Sequence, residues 1–270
     1  MILVDKLPSA PGRALQNASA PALAQALDAR LAGLFTLEER IRAITAAIAG
    51  RIAFSTSLGI EDQAVTNAIA ETHSGIDIFM LDTGRHFPQT YDTLLETEAR
   101  YGIKIRVMFP DAKDVGNLVA SDGIYGFRNS VDSRKLCCDI RKVRPLSQAL
   151  SGATAWITGL RREQSQGRAH VPFAVYDGAQ NLIKLNPIAD WTLADLEGYV
   201  ALNKIPLNLL HAHGFPSIGC QPCTRAIKPG EDIRAGRWWW ENEIGTECGL
   251  HAANDAEASK LAARSAVHKG

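Results

Sequence analysis

Five cysteines are the residues whose type and spacing could do chemistry here, and they fall into three groups. Cys137 and Cys138 are adjacent, Cys220 and Cys223 enclose Gln221-Pro222, and Cys248 stands apart in Glu247-Cys-Gly-Leu-His251. Thiolates are soft ligands, suited to zinc or an iron–sulfur cluster, and a free thiolate is a nucleophile. The two pairs read as a metal centre with the metal left open, because adjacent cysteines match neither zinc-ribbon nor ferredoxin spacings. Apolar burial explains one such cysteine better than four. A thioredoxin-like role for Cys220 and Cys223 lacks a strand running into the motif. Cys248 has His251, Arg234 and Arg237 as available cations to bring a thiol pKa of about 8.5 toward neutrality. Its competing reading is an idle surface thiol.

The remaining polar features are weaker one by one. Ser55-Thr-Ser-Leu-Gly-Ile-Glu-Asp62 lacks the lysine and second glycine of a Walker loop. Its hydroxyls and the N–H groups of a following helix could hold phosphate or sulfate, although alone it reads as an ordinary strand-to-helix turn. Lys142 and Arg144, then Arg161, Arg162 and Arg168, then Arg234 and Arg237 come from separate segments. Any one of them is a solvated charge; several converging on one pocket would suit a polyanion. Trp238-Trp239-Trp240 reads as an anchor rather than a strand.

These groups need a scaffold. Residues 1–20 show no periodicity. Leu23, Leu27, Leu31 and Leu34 predict a helix, and Thr36-Leu-Glu-Glu39 predicts a capped second one with Ile41, Ile44 and Ile48 on one face. Strands are predicted at Arg51–Ser55, Ile76–Leu81, Ile103–Phe109 and Ala153–Thr158. Helices are predicted at Glu61–Glu71, Pro88–Arg100 and Asp114–Ser121, with another beginning near Cys137. This alternation predicts an α/β fold with an open, mainly parallel twisted sheet, helices on both faces and right-handed crossovers. A hairpin of His170–Tyr176 with Leu182–Leu185 and a surface helix at Thr192–Asn203 follow. Ser55–Gly59, Asp82–Arg85 and Gly159–Arg162 all stand at the carboxyl ends of strands, where such sheets bind ligands. The expected organisation is a lead-in with packing helices over 1–50, an α/β body over 51–230, and a mobile tail over 231–270.

Bulk properties narrow the class. The 270 residues are 46% hydrophobic and 21% charged, ordinary for a globular protein. Lys+Arg and Asp+Glu both total 29, so no general field favours nucleic acid or a membrane surface. No apolar run approaches the ~20 residues of a membrane span. Asp5 falls where a secretory signal would extend its apolar core, so the expected location is cytoplasmic. In that reducing setting five cysteines speak for metal or catalysis rather than disulfides.

Together, Cys137-Cys-Asp-Ile-Arg-Lys142, Ser217-Ile-Gly-Cys-Gln-Pro-Cys-Thr-Arg225, Gly236-Arg-Trp-Trp-Trp-Glu241, Glu247-Cys-Gly-Leu-His251 and the Leu81-Asp-Thr-Gly-Arg85 turn resemble the assimilatory adenylyl-sulfate (APS) reductases. That family is related to the PAPS reductases, and the resemblance runs from about residue 51 to 252. It implies a fold of the adenine-nucleotide alpha hydrolase type and reduction of adenosine 5'-phosphosulfate to sulfite and AMP. Cys248 would be the nucleophile, forming an S-sulfocysteine that thioredoxin or a similar dithiol protein resolves. One 4Fe-4S cluster would be held by Cys137, Cys138, Cys220 and Cys223. Ser55, Ser57, Gly59 and Asp62 would line the turn beside the phosphosulfate, and Leu81 and Gly159 would offer backbone groups to adenine. Lys142, Arg168, Arg234, Arg237 and His251 would neutralise the anionic substrate. Lys142, four residues past Cys138, would sit between cluster and substrate, the cluster tuning the local field. Relatives of this fold that cleave ATP carry a second glycine and a serine where Leu58 and Glu61-Asp62 stand here, which fits a ligand with one fewer phosphate. The family is commonly oligomeric. A PAPS reductase that has kept a cluster is the nearest alternative; a nucleotide-activating enzyme with a structural metal, or an iron–sulfur sensor, would leave Cys248 without a task.

Overall fold

The computed structural model describes residues 19–241. Six strands form one sheet: β1 (Ile52–Thr56), β2 (Asp77–Leu81), β3 (Arg106–Met108), β4 (Ala155–Ile157), β5 (Ala174–Asp177) and β6 (Leu182–Leu185), in the order β3-β2-β1-β4-β6-β5. All pairings are parallel except the β5–β6 hairpin. Both faces are covered, which is why the central strands read as continuous apolar runs. Ile52 and Phe54 of β1 pack with Ile78, Met80 and Ile157 on one face, and Ala53, Phe79 and Trp156 pack with Leu146 and Leu150 on the other.

The first face is covered by α1 (Ala20–Ala32), α2 (Leu37–Ala47) and α3 (Ile60–Glu71), whose buried Leu27, Leu31, Ile41, Ile44 and Val65 join the main core. Thr36 caps α2 as expected, with Glu39 completing the reciprocal box. α8 (Leu193–Asn203) buries Leu196 and Val200 against Ala64 of α3. α4 (Pro88–Tyr101) and α5 (Ala112–Asp122) lead into and out of β3.

The expected strand over Ile103–Phe109 is shorter. β3 lies at the sheet edge, Arg106 turns back onto Asp77 at 2.7 Å, and Phe109 is exposed. The helix expected to begin near Cys137 begins instead at Val131. Ser130 caps this α6 (Val131–Cys138) through Ser133, so the cysteine pair closes the helix rather than opening it. A π-helical turn over Asp139–Val143 follows, then α7 (Arg144–Leu150). Such i→i+5 turns within helices concentrate at functional sites.

The chain runs β1 to β2 to β3 on one side, then returns to place β4 on the other side of β1. The two connections therefore diverge at the carboxyl ends of β1 and β4, leaving a crevice between them. Among the described residues no helix is long and apolar enough to cross a membrane.

Candidate active site

That crevice is a cavity of about 230 Å³. Its lining gathers Ser55, Ser57, Gly59 and Asp62 from the β1–α3 turn, Leu81 from β2 and Lys142 from the π turn. Gly159 and Arg168 come from the segment after β4, and Arg234 and Arg237 from the chain near residue 240. These are ten of the expected substrate contacts. His251 and the expected nucleophile Cys248 lie outside the described residues.

The β1–α3 turn differs from the open row of N–H donors that its position suggests. Asp62 Oδ2 accepts the Ser57 N–H and the Ser57 hydroxyl, both at 2.6 Å. Leu58 N–H donates to Thr56 Oγ1 and Gly59 N–H to Ser57 Oγ. A carboxylate of the protein thus occupies the place an anionic ligand would otherwise take. Leu58 is held at φ +59° with its side chain buried. Dense surroundings push the Asp62 pKa up to about 6, against the opposing donors at Ser57 and Gly159. Ser55 is different: its oxygen accepts the Trp156 indole N–H at 2.8 Å, which leaves its own hydrogen to donate into the cavity.

The end of β4 is drawn tightly against α3. A Cβ at Gly159 would stand 2.3 Å from Asp62 Oδ1 and 3.1 Å from the Glu61 side chain, so only glycine permits the approach. Gln164 braces this turn, donating to the Gly159 carbonyl at 3.3 Å and accepting from Arg168. Buried Arg161 holds Glu61 at 3.1 Å. Leu81 presents its carbonyl to His86 Nε2 at 3.0 Å, and burial holds the His86 pKa below the ordinary value. The backbone groups expected to meet adenine are therefore partly engaged by neighbours.

A second, smaller cavity of about 20 Å³ adjoins the first and brings Cys137, Cys138, Cys220 and Cys223 together. None of the four forms a disulfide among the described residues. Arg85, Arg134, Arg141, Lys142 and Arg237 line the same space. Thr83 Oγ1 lies 3.3 Å from Cys220 Sγ, and Gln221 N–H donates to the Arg85 carbonyl at 2.8 Å. The Asp82–Arg85 turn, expected among the nucleotide-facing strand ends, thus serves chiefly the cysteines. Burial pushes the Cys223 thiol up to about 12, with the Cys220 and Cys138 sulfurs adding to it. For Cys220 burial also acts upward, but Lys142, the Thr83 hydroxyl, Arg237 and Arg85 outweigh it and the thiol falls below its usual range. Among the described residues no three His, Cys, Asp or Glu side chains converge as ligands of a single metal ion do.

Lys142, Arg237 and Trp238 line both cavities and form their common wall. Lys142 sits in the π turn, so its relation to the cysteine pair is not the α-helical turn its spacing suggests. Arg237 lies flat against Gly219, where a Cβ would come within 2.3 Å of Nη2. Its contacts to Ser217 and Ile218 are long, 3.4 Å each, and its Nε has no hydrogen-bond partner among the described residues. Trp156, Thr158, His86, Gln164 and His211 also line the larger cavity and were not singled out from sequence. For Trp156, a bulky ring beside the phosphate-turn strand was the available signal.

A family model described as the phosphoadenosine phosphosulfate reductase domain matches residues 51–226. An adenosine 5'-phosphosulfate reductase of Agrobacterium fabrum is 50% identical over 249 residues, covering 92% of this chain and 95% of that protein. One from Burkholderia cepacia is 44% identical over 257 residues, covering 94% of this chain and all of the relative. The crystal structure of a PAPS reductase from Candida auris, in complex with phosphate, superposes with a TM-score of 0.65 at 24% identity. It covers 76% of this chain and 97% of that one, and shares the fold. With more than half of its length matched and relatives at half identity end to end, the chain belongs to the APS/PAPS reductase family.

Proposed function

We propose that this protein is an adenylyl-sulfate reductase of sulfate assimilation, converting adenosine 5'-phosphosulfate to sulfite and AMP. The observation that carries the reading is the shared wall: a nucleotide-sized cavity with cations from three segments abuts a cavity of four cysteines. Arg168, Arg234, Arg237 and Lys142 neutralise the phosphosulfate, and the Ser55 hydroxyl donates to one of its oxygens. The Asp62-closed turn leaves room for one fewer phosphate than an ATP-cleaving site needs. The relatives at about half identity are adenosine 5'-phosphosulfate reductases, which supports APS over the alternative, a PAPS reductase that retains an iron–sulfur cluster.

In the first stage the Cys248 thiolate attacks the sulfate sulfur. A sulfur–sulfur bond forms, the sulfur–oxygen bond to AMP breaks, and its electron pair leaves on the AMP phosphate, where arginines and His251 stabilise it. In the second stage a thiolate of thioredoxin or a similar dithiol attacks Cys248 Sγ and expels sulfite. The second thiol of the partner then frees Cys248, so the dithiol is oxidised as sulfate is reduced.

The four-cysteine cavity suits a 4Fe-4S cluster. The donor set is all thiol, the four sulfurs line one space, and five cations surround what would be an anionic group. Cys137, Cys138, Cys220 and Cys223 would hold it. When bound, it would supply a fixed charge across the wall formed by Lys142 and Arg237, rather than electrons. A cytoplasmic location and a homo-oligomer accompany this reading as expectations of the family.

The test is AMP release in the absence of any reductant, with APS and its 3′-phosphorylated form competing. The expected result is a single-turnover burst from APS, none from the Cys248→Ser variant, and little from the competitor. A burst that survives Cys248→Ser contradicts the nucleophile assignment, and preference for the 3′-phosphorylated substrate contradicts the choice of APS.

A further inference from the structure

Arg134, one of the cations lining the cysteine cavity, also forms a buried ion pair with Glu241. Arg134 Nε donates to Glu241 Oε1 at 2.5 Å, with the side chains 1% and 4% exposed. Arg134 lies on α6, three residues before Cys137, while Glu241 is the last described residue. Beside the pair Trp238 is buried, with the Arg134 guanidinium 4.5 Å and the Arg237 guanidinium 4.7 Å from its ring. Trp238 takes φ +48°, a left-handed conformation uncommon outside glycine, and its N–H donates to the Cys223 carbonyl. Glu241 N–H in turn donates to the Trp238 carbonyl at 2.8 Å. A continuous stack therefore joins Arg237 at the nucleotide cavity, Trp238, Arg134 of the cysteine-bearing helix, and Glu241.

Removing two charges from water is worthwhile only where geometry is well satisfied, and such pairs serve register better than stability. Here the residue held in place is Glu241, from which the sequence runs on to Cys248. Cys248 lies seven residues further on, a span of at most about 25 Å when fully extended. Wherever Glu241 is fixed, the reach of Cys248 is fixed with it.

We propose that the Arg134–Glu241 pair is a positioning device: it sets, from the cysteine-bearing helix, the point at which the C-terminal segment departs, and so the approach of Cys248 to the nucleotide cavity. The inference rests on Cys248 being the nucleophile. Arg134 and Glu241 act through the segment they fix and touch no reacting atom. Misplacement of a reacting group by about 1 Å can cost about 10²-fold in rate, so a small shift at the root is consequential.

The experiment uses the full-length holoenzyme and two readouts: rapid-quench formation of the sulfite-sized adduct on Cys248, and AMP affinity by calorimetry. In Glu241→Gln the expected adduct formation is slower by at least about tenfold, with AMP affinity changed by less than about threefold. Wild-type rates in this variant overturn the proposal, as do rate and AMP affinity falling together, the signature of a merely structural role. If the single variant does not fold, Arg134→Met combined with Glu241→Leu replaces the pair with packed apolar chains. Persisting slow transfer with unchanged iron content then supports positioning; transfer at the wild-type rate, or slow transfer with iron lost, overturns it. Absence of any adduct on Cys248 in the wild type refutes the nucleophile assignment itself, and the positioning role falls with it.

Discussion

The two adjoining cavities are built on opposite principles. The larger is made by backbone turns at the carboxyl ends of parallel strands, and most of its polar groups are already paired: Ser57 with Asp62, Gly159 with Gln164, Leu81 with His86. The cations on its wall are side chains arriving from elsewhere, Lys142, Arg168, Arg234 and Arg237. The smaller is made almost wholly of side chains, four sulfurs facing five cations. A turn-built cavity tolerates loss of one side chain because the strands still define its shape. A cavity built of converging side chains does not. Where they share a wall, damage to one should be felt by the other.

The largest effect should follow from breaking the smaller cavity. With the cluster held as proposed, Cys220→Ala is expected to lack iron and visible absorbance together, measured by iron analysis and spectroscopy. Cys248→Ala should keep both. Equal iron in the two variants would erase the distinction drawn between the sulfurs.

An intermediate effect should come from the shared wall. Gly219→Ala places a methyl against the Arg237 guanidinium and must displace it. AMP affinity is expected to fall about tenfold, about 1.4 kcal/mol, with a change in the visible spectrum of the holoenzyme. Loss of affinity with an unaltered spectrum would show that Arg237 serves only the nucleotide side.

A smaller effect, confined to the larger cavity, should come from Trp156→Phe. It removes the hydrogen bond that orients Ser55, worth about 1 kcal/mol, and should weaken AMP or APS binding accordingly while iron content stays constant. The least visible change concerns Asp62. Its pKa is raised from the usual 3.8 to about 6, so the folded state holds this proton more tightly than the unfolded chain. The associated stability is present at low pH and is lost as pH rises through about 6. Asp62→Asn should flatten that part of the profile in urea unfolding measured across this range; an unchanged slope would mean Asp62 titrates as an ordinary carboxylate.

Much of this arrangement was legible in the chain. Alternating strands and helices determined which turns share the carboxyl edge of the sheet, and Ser55–Gly59 and Gly159–Arg162 meet there because β1 and β4 are neighbours. Helix α6 began earlier than expected because Val131-Asp-Ser-Arg-Lys135 carries little apolar periodicity; its start is marked only by the Ser130 cap. The π turn after Cys138 has no sequence signal of its own. Nor does the closing of the phosphate turn by Asp62, which depends on α3 folding back within 2.6 Å of Ser57. Thr83 facing Cys220 is likewise a product of packing between segments far apart in sequence. The residues alone make convergence of the cations conditional on the fold: Lys142, Arg168, Arg234 and Arg237 line one cavity, whereas Arg144 pairs with Asp114 and Asp139, and Arg161 with Glu61.

The central claim is a division of tasks among five sulfurs, and peptide mapping by mass spectrometry after exposure to APS without reductant tests it most directly. The account predicts a sulfite-sized mass on the peptide containing Cys248 and on none of those containing Cys137, Cys138, Cys220 or Cys223. The added mass on any of those four, or on no cysteine, would contradict it.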